Sequence, residues 1–437
     1  MEFRDLKKQY RILQQDMDKA VLDAMASGAY IMGPQVKALE RELADYVGVK
    51  HCLTCANGTD ALTLALKAWG IGPGDAVFVP DFTFFSTAEV VSLEGATPVF
   101  VDVCEDTFNL DAADLDRAVQ AVLADGRLRP RVVIPVDLFG LPADYTAIRA
   151  VADRYGLLVL EDGAQGFGGS IQMADQVGHD EITHVIPGTT PHVIPGSTGN
   201  LSRACSFGDI ATTSFFPAKP LGCYGDGGAM FTDNDEWAAL IESYRVHGKG
   251  TFKYDNVRIG LNSRLDTLQA AVLQVKLKAF RDYELDAVNE AATAYTERLE
   301  GLATPVIPAG FRSSWAQYTI RLDNREQRDA VQAALKTAGI PAMVYYPKPM
   351  HLQTAFRCPI RSGMTVESVR SGMTCDNVKQ GMTDENATSA NVMPGLTGHL
   401  CPVATSLCER VLSLPMHPYI TTEEIDEVCT AVRKALA

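Results

Sequence analysis

The sequence predicts an α/β protein with a mainly parallel, three-layer sheet domain and a smaller α/β domain towards its C-terminus. Short β-rich runs alternate with helical patterns from Lys50 to Thr232, and such alternation favours parallel strands joined by helical crossovers. At 437 residues the chain also exceeds the size at which one hydrophobic core stops growing, so a second domain is expected.

Taken in order, Leu6, Tyr10, Leu13, Met17, Val21 and Met25 fall at helical spacing, and Gly28 ends that pattern. A second helix is expected from about Gln35 to Val47. Lys50–Ala56 reads as a strand, and Asn57-Gly58-Thr59-Asp60 turns it into a helix capped by Thr59 or Asp60. A turn of this kind leaves backbone N–H groups and the positive end of the helix dipole ready for a phosphate. Further strands are expected at Ala76–Pro80, Thr97–Asp102, Val132–Val136 and Leu157–Glu161. Helices open near Asp81 and run over Leu110–Ala124 and Tyr145–Tyr155.

Ligands of such sheets bind at the carboxyl ends of the strands, where Asn57–Thr59, Phe84 and Asp162 fall. The pattern resumes with a strand at Ala229–Thr232 and a helix from about Glu236. A long helix is expected from Thr267 to about Ala303. Then come a strand at Ala316–Leu322, a helix over 326–338, a β-like run at Ala342–Tyr346 and a terminal helix from about Glu423 to Leu436. We assign residues 13–255 to the large domain and 256–437 to the small one, with the N-terminal helix packing near the latter.

Two stretches break this order, about 171–203 and 357–399. The first repeats His-Val-Ile-Pro-Gly at 184 and 192; the second repeats Gly-Met-Thr at 363, 372 and 381. Neither has a face to bury, so both read as inserted surface loops. The spacing of His184 and His192, with His179 nearby, follows from the duplication, and no metal site is expected.

Composition narrows the function. A net charge of −15 argues against a nucleic-acid partner, which calls for a basic face. No apolar run is long enough to span a bilayer and Met1–Lys8 lacks a signal-peptide pattern, so the expected location is the cytoplasm. Ten cysteines are too sparse for a disulfide scaffold, and Cys52 and Cys55 read as small residues of a buried strand.

The chemistry centres on Lys219, within Thr212–Gly222. An amine on an apolar, proline-bracketed loop is poorly solvated, so its pKa should fall and the free amine can attack a carbonyl. Asp162 ends a buried strand and needs a partner; a protonated pyridine nitrogen would be one, as would a salt bridge or a helix cap.

Six segments in this order resemble one family. They are Ile31–Pro34, Asn57–Leu62, Glu161–Gln165, Ser214–Gly222, Gly260–Arg264 and Leu414–Pro418. The chain resembles the fold-type-I, pyridoxal-phosphate-dependent nucleotide-sugar aminotransferases (DegT-like). Gly222–Gly228 and Asn262–Gln269 are most similar to enzymes that aminate C3 of a UDP-2-acetamido-3-keto-hexuronate for surface polysaccharides such as lipopolysaccharide O-antigen.

The resemblance implies that Lys219 carries pyridoxal 5′-phosphate covalently and shuttles a proton, while Asp162 pairs with its ring nitrogen. It implies that Gln165 bonds near the ring oxygen, Phe84 stacks on the ring, and Gly58, Thr59 and Ser214 hold the phosphate. Asn262 would reach that phosphate from the partner of a homodimer. Arg264, Tyr345 and Tyr346 would contact the UDP-linked keto-sugar, with L-glutamate as donor and 2-oxoglutarate as its product. A C4-aminotransferase of a UDP- or dTDP-4-keto-hexose and a catalytically silent cofactor-binding relative stay open. A sugar dehydratase fits less well, because such relatives carry histidine in place of the lysine.

Overall fold

The computed structural model describes residues 1–172, 201–252, 254–357 and 401–437. The repeats, with His179, His184 and His192, lie outside the described residues.

Helix α1 (Leu6–Ser27) is capped by Asp5, which accepts the Lys8 N–H, and closed by Gly28 at φ 68°. Then follow α2 (Pro34–Val47), β1 (His51–Cys55), α3 (Gly58–Ala68), β2 (Asp75–Pro80) and α4 (Ser86–Leu93). The alternation continues with β3 (Thr97–Val101), α5 (Ala112–Asp125), β4 (Arg129–Val133), α6 (Tyr145–Tyr155) and β5 (Leu158–Asp162). A short ribbon of β6 (Ser170–Gln172) and β7 (Leu201–Arg203) leads to β8 (Ile210–Ser214), β9 (Gly228–Thr232) and α7 (Asp235–Tyr244).

Seven strands form the main sheet in the order β1-β9-β8-β5-β4-β2-β3. Only β9 runs against its neighbours; the other strands share one direction. Successive side chains leave opposite faces, so each strand feeds two cores. Leu53, Val77, Val79, Leu160, Ile210 and Met230 pack under α3, α4 and α7. On the other face Cys52, Ala211 and Phe231 meet α2 and α8 (Thr267–Ala279), while Phe78, Val133 and Val159 meet α5 and α6. Helices thus cover both faces of the sheet. Cys52 and Cys55 are buried and unpaired on β1, in the apolar role expected of them.

The long helix expected from Thr267 is broken. After α8, residues 280–284 make one wide turn in which the Leu285 N–H reaches the Phe280 carbonyl, and α9 (Leu285–Arg298) continues. The turn buries Phe280 against Phe167, at 5.9 Å between ring centroids, and buries Glu284. The apolar residues of α8 belong to the core of the large sheet.

Those of α9 join a separate core. Its other members are β11 (Tyr318–Arg321), α10 (Arg325–Thr337), β12 (Val411–Leu414) and α13 (Thr422–Leu436). Between them β10 (Phe311–Arg312) pairs with β6, and α11 (Thr354–Arg357) and α12 (Pro402–Arg410) flank the join. The run Ala342–Tyr346 keeps a single bridge, Met343 to Ser413. Pro341, Pro347 and Pro349 around it lack the N–H groups a longer ladder needs. Among the described residues no helix is long and apolar enough to cross a membrane.

Candidate active site

The carboxyl edge of the main sheet gathers the ends of β1, β2, β5 and β8. Asp162 closes β5 and is 4% exposed. Its Oδ2 accepts from the Thr87 hydroxyl at 2.9 Å and its Oδ1 from the Ala164 N–H at 3.2 Å. Burial raises the Asp162 pKa, while these two donors and nearby Lys219 oppose the rise. The Thr83 hydroxyl lies 3.3 Å from that of Thr87. Since the Thr87 proton goes to Asp162, Thr83 is the donor of that pair.

Glu161 leaves the opposite face of β5. It accepts the N–H groups of Cys205, Phe207 and Gly208, the last two at 2.7 and 3.0 Å. Asp137, fully buried, accepts from the Ala143 N–H at 3.0 Å and the Tyr145 hydroxyl at 2.8 Å through Oδ1. Burial drives both carboxyl pKa values up, Glu161 to about 7. Among the described residues Asp137 Oδ2 has no donor, which is resolved if it carries a proton shared with Glu161. Gly166 permits this packing, because a Cβ there would fall 2.3 Å from the Asp137 Cβ.

Lys219 sits in the loop after β8. Its backbone N–H bonds the Phe216 carbonyl at 2.8 Å, and Gly222 closes the turn where a Cβ would meet the Phe216 and Pro217 carbonyls at 2.6 Å. The side chain is half-buried. Burial lowers its pKa, Asp162 opposes the drop and Arg4 adds to it. Burial thus acts towards the free-amine form, beside a buried carboxylate.

At the end of β1 the helix cap is Asn57, not Thr59 or Asp60. A cap residue must keep extended backbone outside the helix, and Asn57, at φ −166° and ψ 171°, does so while accepting the Asp60 N–H at 2.8 Å. Gly58 and Thr59 then begin the helix with amides that have no intrahelical partner. Ser214 faces them closely: a Cβ on Gly58 would lie 2.8 Å from the Ser214 Cβ and 3.3 Å from its Oγ. Two amides and a hydroxyl thus line one cradle, open only because residue 58 is glycine.

Phe84 is 54% exposed, with its ring 6.3 Å from that of Tyr346. Gln165 does not point its donor into open space. Its Nε2 bonds the Tyr346 hydroxyl at 2.9 Å and its Oε1 accepts the Phe139 N–H at 2.8 Å. Tyr345 packs edge-on against Phe3. Asn262 and Arg264 bond each other, and Asn262 is exposed. Among the described residues neither has a hydrogen bond or ion pair to Lys219, Asp162 or Ser214. The contact of Thr87 with Asp162 and the capping role of Asn57 were not expected from the sequence. The Thr83/Thr87 spacing of four residues, at the start of the helix beside Asp162, is the signal that could have found the first.

Comparison with known proteins gives this arrangement a family. The DegT/DnrJ/EryC1/StrS aminotransferase family matches residues 11–393 and 390–433. The chain belongs to that family. This aminotransferase is 40% identical over 434 residues to the UDP-2-acetamido-2-deoxy-3-oxo-D-glucuronate aminotransferase of Pseudomonas aeruginosa, covering 99% of each chain. It is 37% identical to a UDP-N-acetyl-3-dehydro-alpha-D-glucosamine 3-aminotransferase of Acidithiobacillus ferrooxidans, over 99% of this chain and 97% of the other. A solved aminotransferase of the family from Brucella abortus superimposes with a TM-score of 0.82 at 43% identity, covering 99% of both chains.

Proposed function

We propose that this chain is a pyridoxal 5′-phosphate-dependent aminotransferase. It moves nitrogen from L-glutamate to a nucleotide-linked keto-sugar, with UDP-2-acetamido-3-keto-hexuronate as the acceptor, in the cytoplasm and for surface polysaccharide synthesis. The observation that carries the reading is one arrangement: an amine pushed towards its neutral form, a buried carboxylate with its own donors, and a cradle of amides and hydroxyl at the same sheet edge.

The residues fit the cofactor. Gly58, Thr59 and Ser214 suit a phosphate, Asp162 suits a protonated ring nitrogen, and Phe84 is exposed enough to lie against the ring. Bound there, the cofactor supplies an electron sink for the charge left when a proton leaves the substrate carbon. Lys219 would hold the cofactor through its amine and would carry the proton that leaves the substrate α-carbon. Asp162, whose carboxylate form its two donors stabilise against burial, would keep the ring nitrogen protonated. The uronate acceptor is supported by the end-to-end similarity to the Pseudomonas enzyme.

The active site is read as shared between two copies. Asn262 and Arg264 lie near Phe252, Tyr254, Val257 and Ile259 in sequence, and those four are 75, 86, 53 and 90% exposed. Apolar exposure of that extent supports a dimer contact through which Asn262 and Arg264 complete the partner's site.

The test is a half-reaction assay. Wild-type protein with cofactor and glutamate should release 2-oxoglutarate, then aminate the 3-keto-uronate faster than a 4-keto-hexose. Lys219→Ala should lack both the visible cofactor band and turnover. Mixing inactive Lys219→Ala with inactive Asn262→Ala should restore part of the activity; no recovery counts against the shared site.

A further inference from the structure

Arg4 is a cation that the proposed reaction leaves without a task. Phe3 and Arg4 precede α1 and cross the rim of the site. The Phe3 ring lies 6.2 Å from that of Tyr345, and its carbonyl accepts the Met416 N–H at 3.1 Å. Arg4 Nη2 donates to the Pro220 carbonyl at 3.2 Å, one residue beyond Lys219. The N-terminal segment therefore spans from a candidate sugar contact to the reactive amine.

The Arg4 guanidinium makes no ion pair among the described residues. Glu284, the carboxylate that acts on it, is buried and already accepts from Gln9 Nε2 at 2.8 Å and from the Tyr419 hydroxyl. Lys276 adds a further cation. It is 2% exposed, its Nζ lies 5.0 Å from the Tyr224 ring centre, and it too has no ion pair among the described residues. Burial pushes Arg4 down to about 10, against the pull of Glu284 and Tyr419. Burial, helped by Arg4, brings Lys276 down to about 8. Buried His417 gives no counter-charge, and burial and Arg4 hold it neutral. Arg4 and Lys276 thus share Glu284, next to Lys219 and Asp162, in a protein whose net charge is −15. A half-buried guanidinium short of a counter-ion is what an incoming anion stabilises, and its planar fork matches a carboxylate.

We propose that Arg4 is a ligand-binding residue that receives a substrate carboxylate beside Lys219, from either the hexuronate acceptor or the amino donor. The inference rests on the aminotransferase reading, since both of its substrates carry that group.

The test measures equilibrium binding to the holoenzyme by calorimetry, using UDP-glucuronate, UDP-glucose and glutarate. Arg4→Met removes both charge and donor; Arg4→Gln keeps a donor for Pro220 and removes the charge. An intact visible cofactor band and far-ultraviolet spectrum certify each variant as folded. Both variants should bind UDP-glucuronate, glutarate or both about 10- to 100-fold more weakly, as expected for a charged hydrogen bond, with UDP-glucose unchanged. Loss confined to UDP-glucuronate assigns the sugar carboxylate, and loss confined to glutarate the donor's. Wild-type affinity for both carboxylates in Arg4→Met, full affinity in Arg4→Gln, or a parallel loss for UDP-glucose would overturn the proposal. If the wild-type holoenzyme binds neither UDP-sugar, the sugar-nucleotide reading falls, and Arg4 stands or falls on the glutarate arm.

Discussion

The hydroxyl of Thr87 offers a direct probe of what opposes the rise that burial imposes on the Asp162 pKa. Thr87→Val keeps the shape of the side chain and deletes the donor that lies 2.9 Å from Asp162 Oδ2. Both groups are buried, so water cannot replace the lost bond. A hydrogen bond to a charged group contributes about 1.5–3 kcal/mol, which corresponds to a rise of about 1–2 pH units in the Asp162 pKa. That rise adds to the one already imposed by burial. A protonated Asp162 cannot hold the ring nitrogen's charge, so cofactor binding should weaken about tenfold or more at neutral pH. The pH below which the cofactor is lost should move up by the same 1–2 units. The assay is a titration of the visible cofactor band between pH 5 and 9, with the dissociation constant measured at each point. Wild-type affinity and an unshifted pH profile in Thr87→Val would refute the argument.

Three further outcomes follow from the geometry. Gly58→Ala puts a methyl group 2.8 Å from the Ser214 Cβ, so it should lower cofactor affinity about tenfold or more, and unchanged binding would contradict the phosphate cradle. The Asp137–Glu161 pair makes stability depend on pH. Its folded pKa values are raised, so its contribution is complete below the unfolded values of 3.8 and 4.5 and fades as pH climbs, for Glu161 through about 7. For Glu161 alone this amounts to on the order of 3 kcal/mol, so the cofactor-free protein should melt lower at pH 8 than at pH 6. Asp137→Asn, with an amide in place of the shared proton, should flatten that slope; an equally steep slope would argue against proton sharing. Arg245→Met should cost about 3–5 kcal/mol in chemical denaturation, because Arg245 is 2% exposed and holds Glu40 and the Thr54 carbonyl, each at 2.6 Å.

Periodic segments were readable because their packing is local in sequence. Tyr145–Tyr155 matched its helix at both ends, and Asn57–Thr59, Phe84 and Asp162 fell at the strand ends where the alternation puts them. What escaped depends on distant partners or on backbone angles. The wide turn after Ala279 interrupts residues with continuous helical preference, and only the burial of Phe280 and Glu284 accounts for it. Strand β12 pairs with β11 nearly a hundred residues earlier, a register no local pattern encodes. Choosing Asn57 over Thr59 as the cap required knowing which residue stays extended. In the site, Lys219 and Asp162 carried chemical signals of their own. Arg4 did not, because an arginine near a terminus is ordinary until its neighbours are known, and Thr87 carried only its spacing from Thr83.

The single reversed strand has a consequence for the order in which the protein is made. β1 leaves the ribosome first among the sheet strands, yet its one ladder among the described residues joins His51 to Thr232 on β9. At translation speeds of about 5–20 residues per second, its edge waits roughly 10–40 s for that partner. Lys219 lies just ahead of β9 in the chain, so the nascent protein stays open on that side until Lys219 has already emerged. Holding that edge apart from other chains during the delay is a job suited to a chaperone rather than to the enzyme itself.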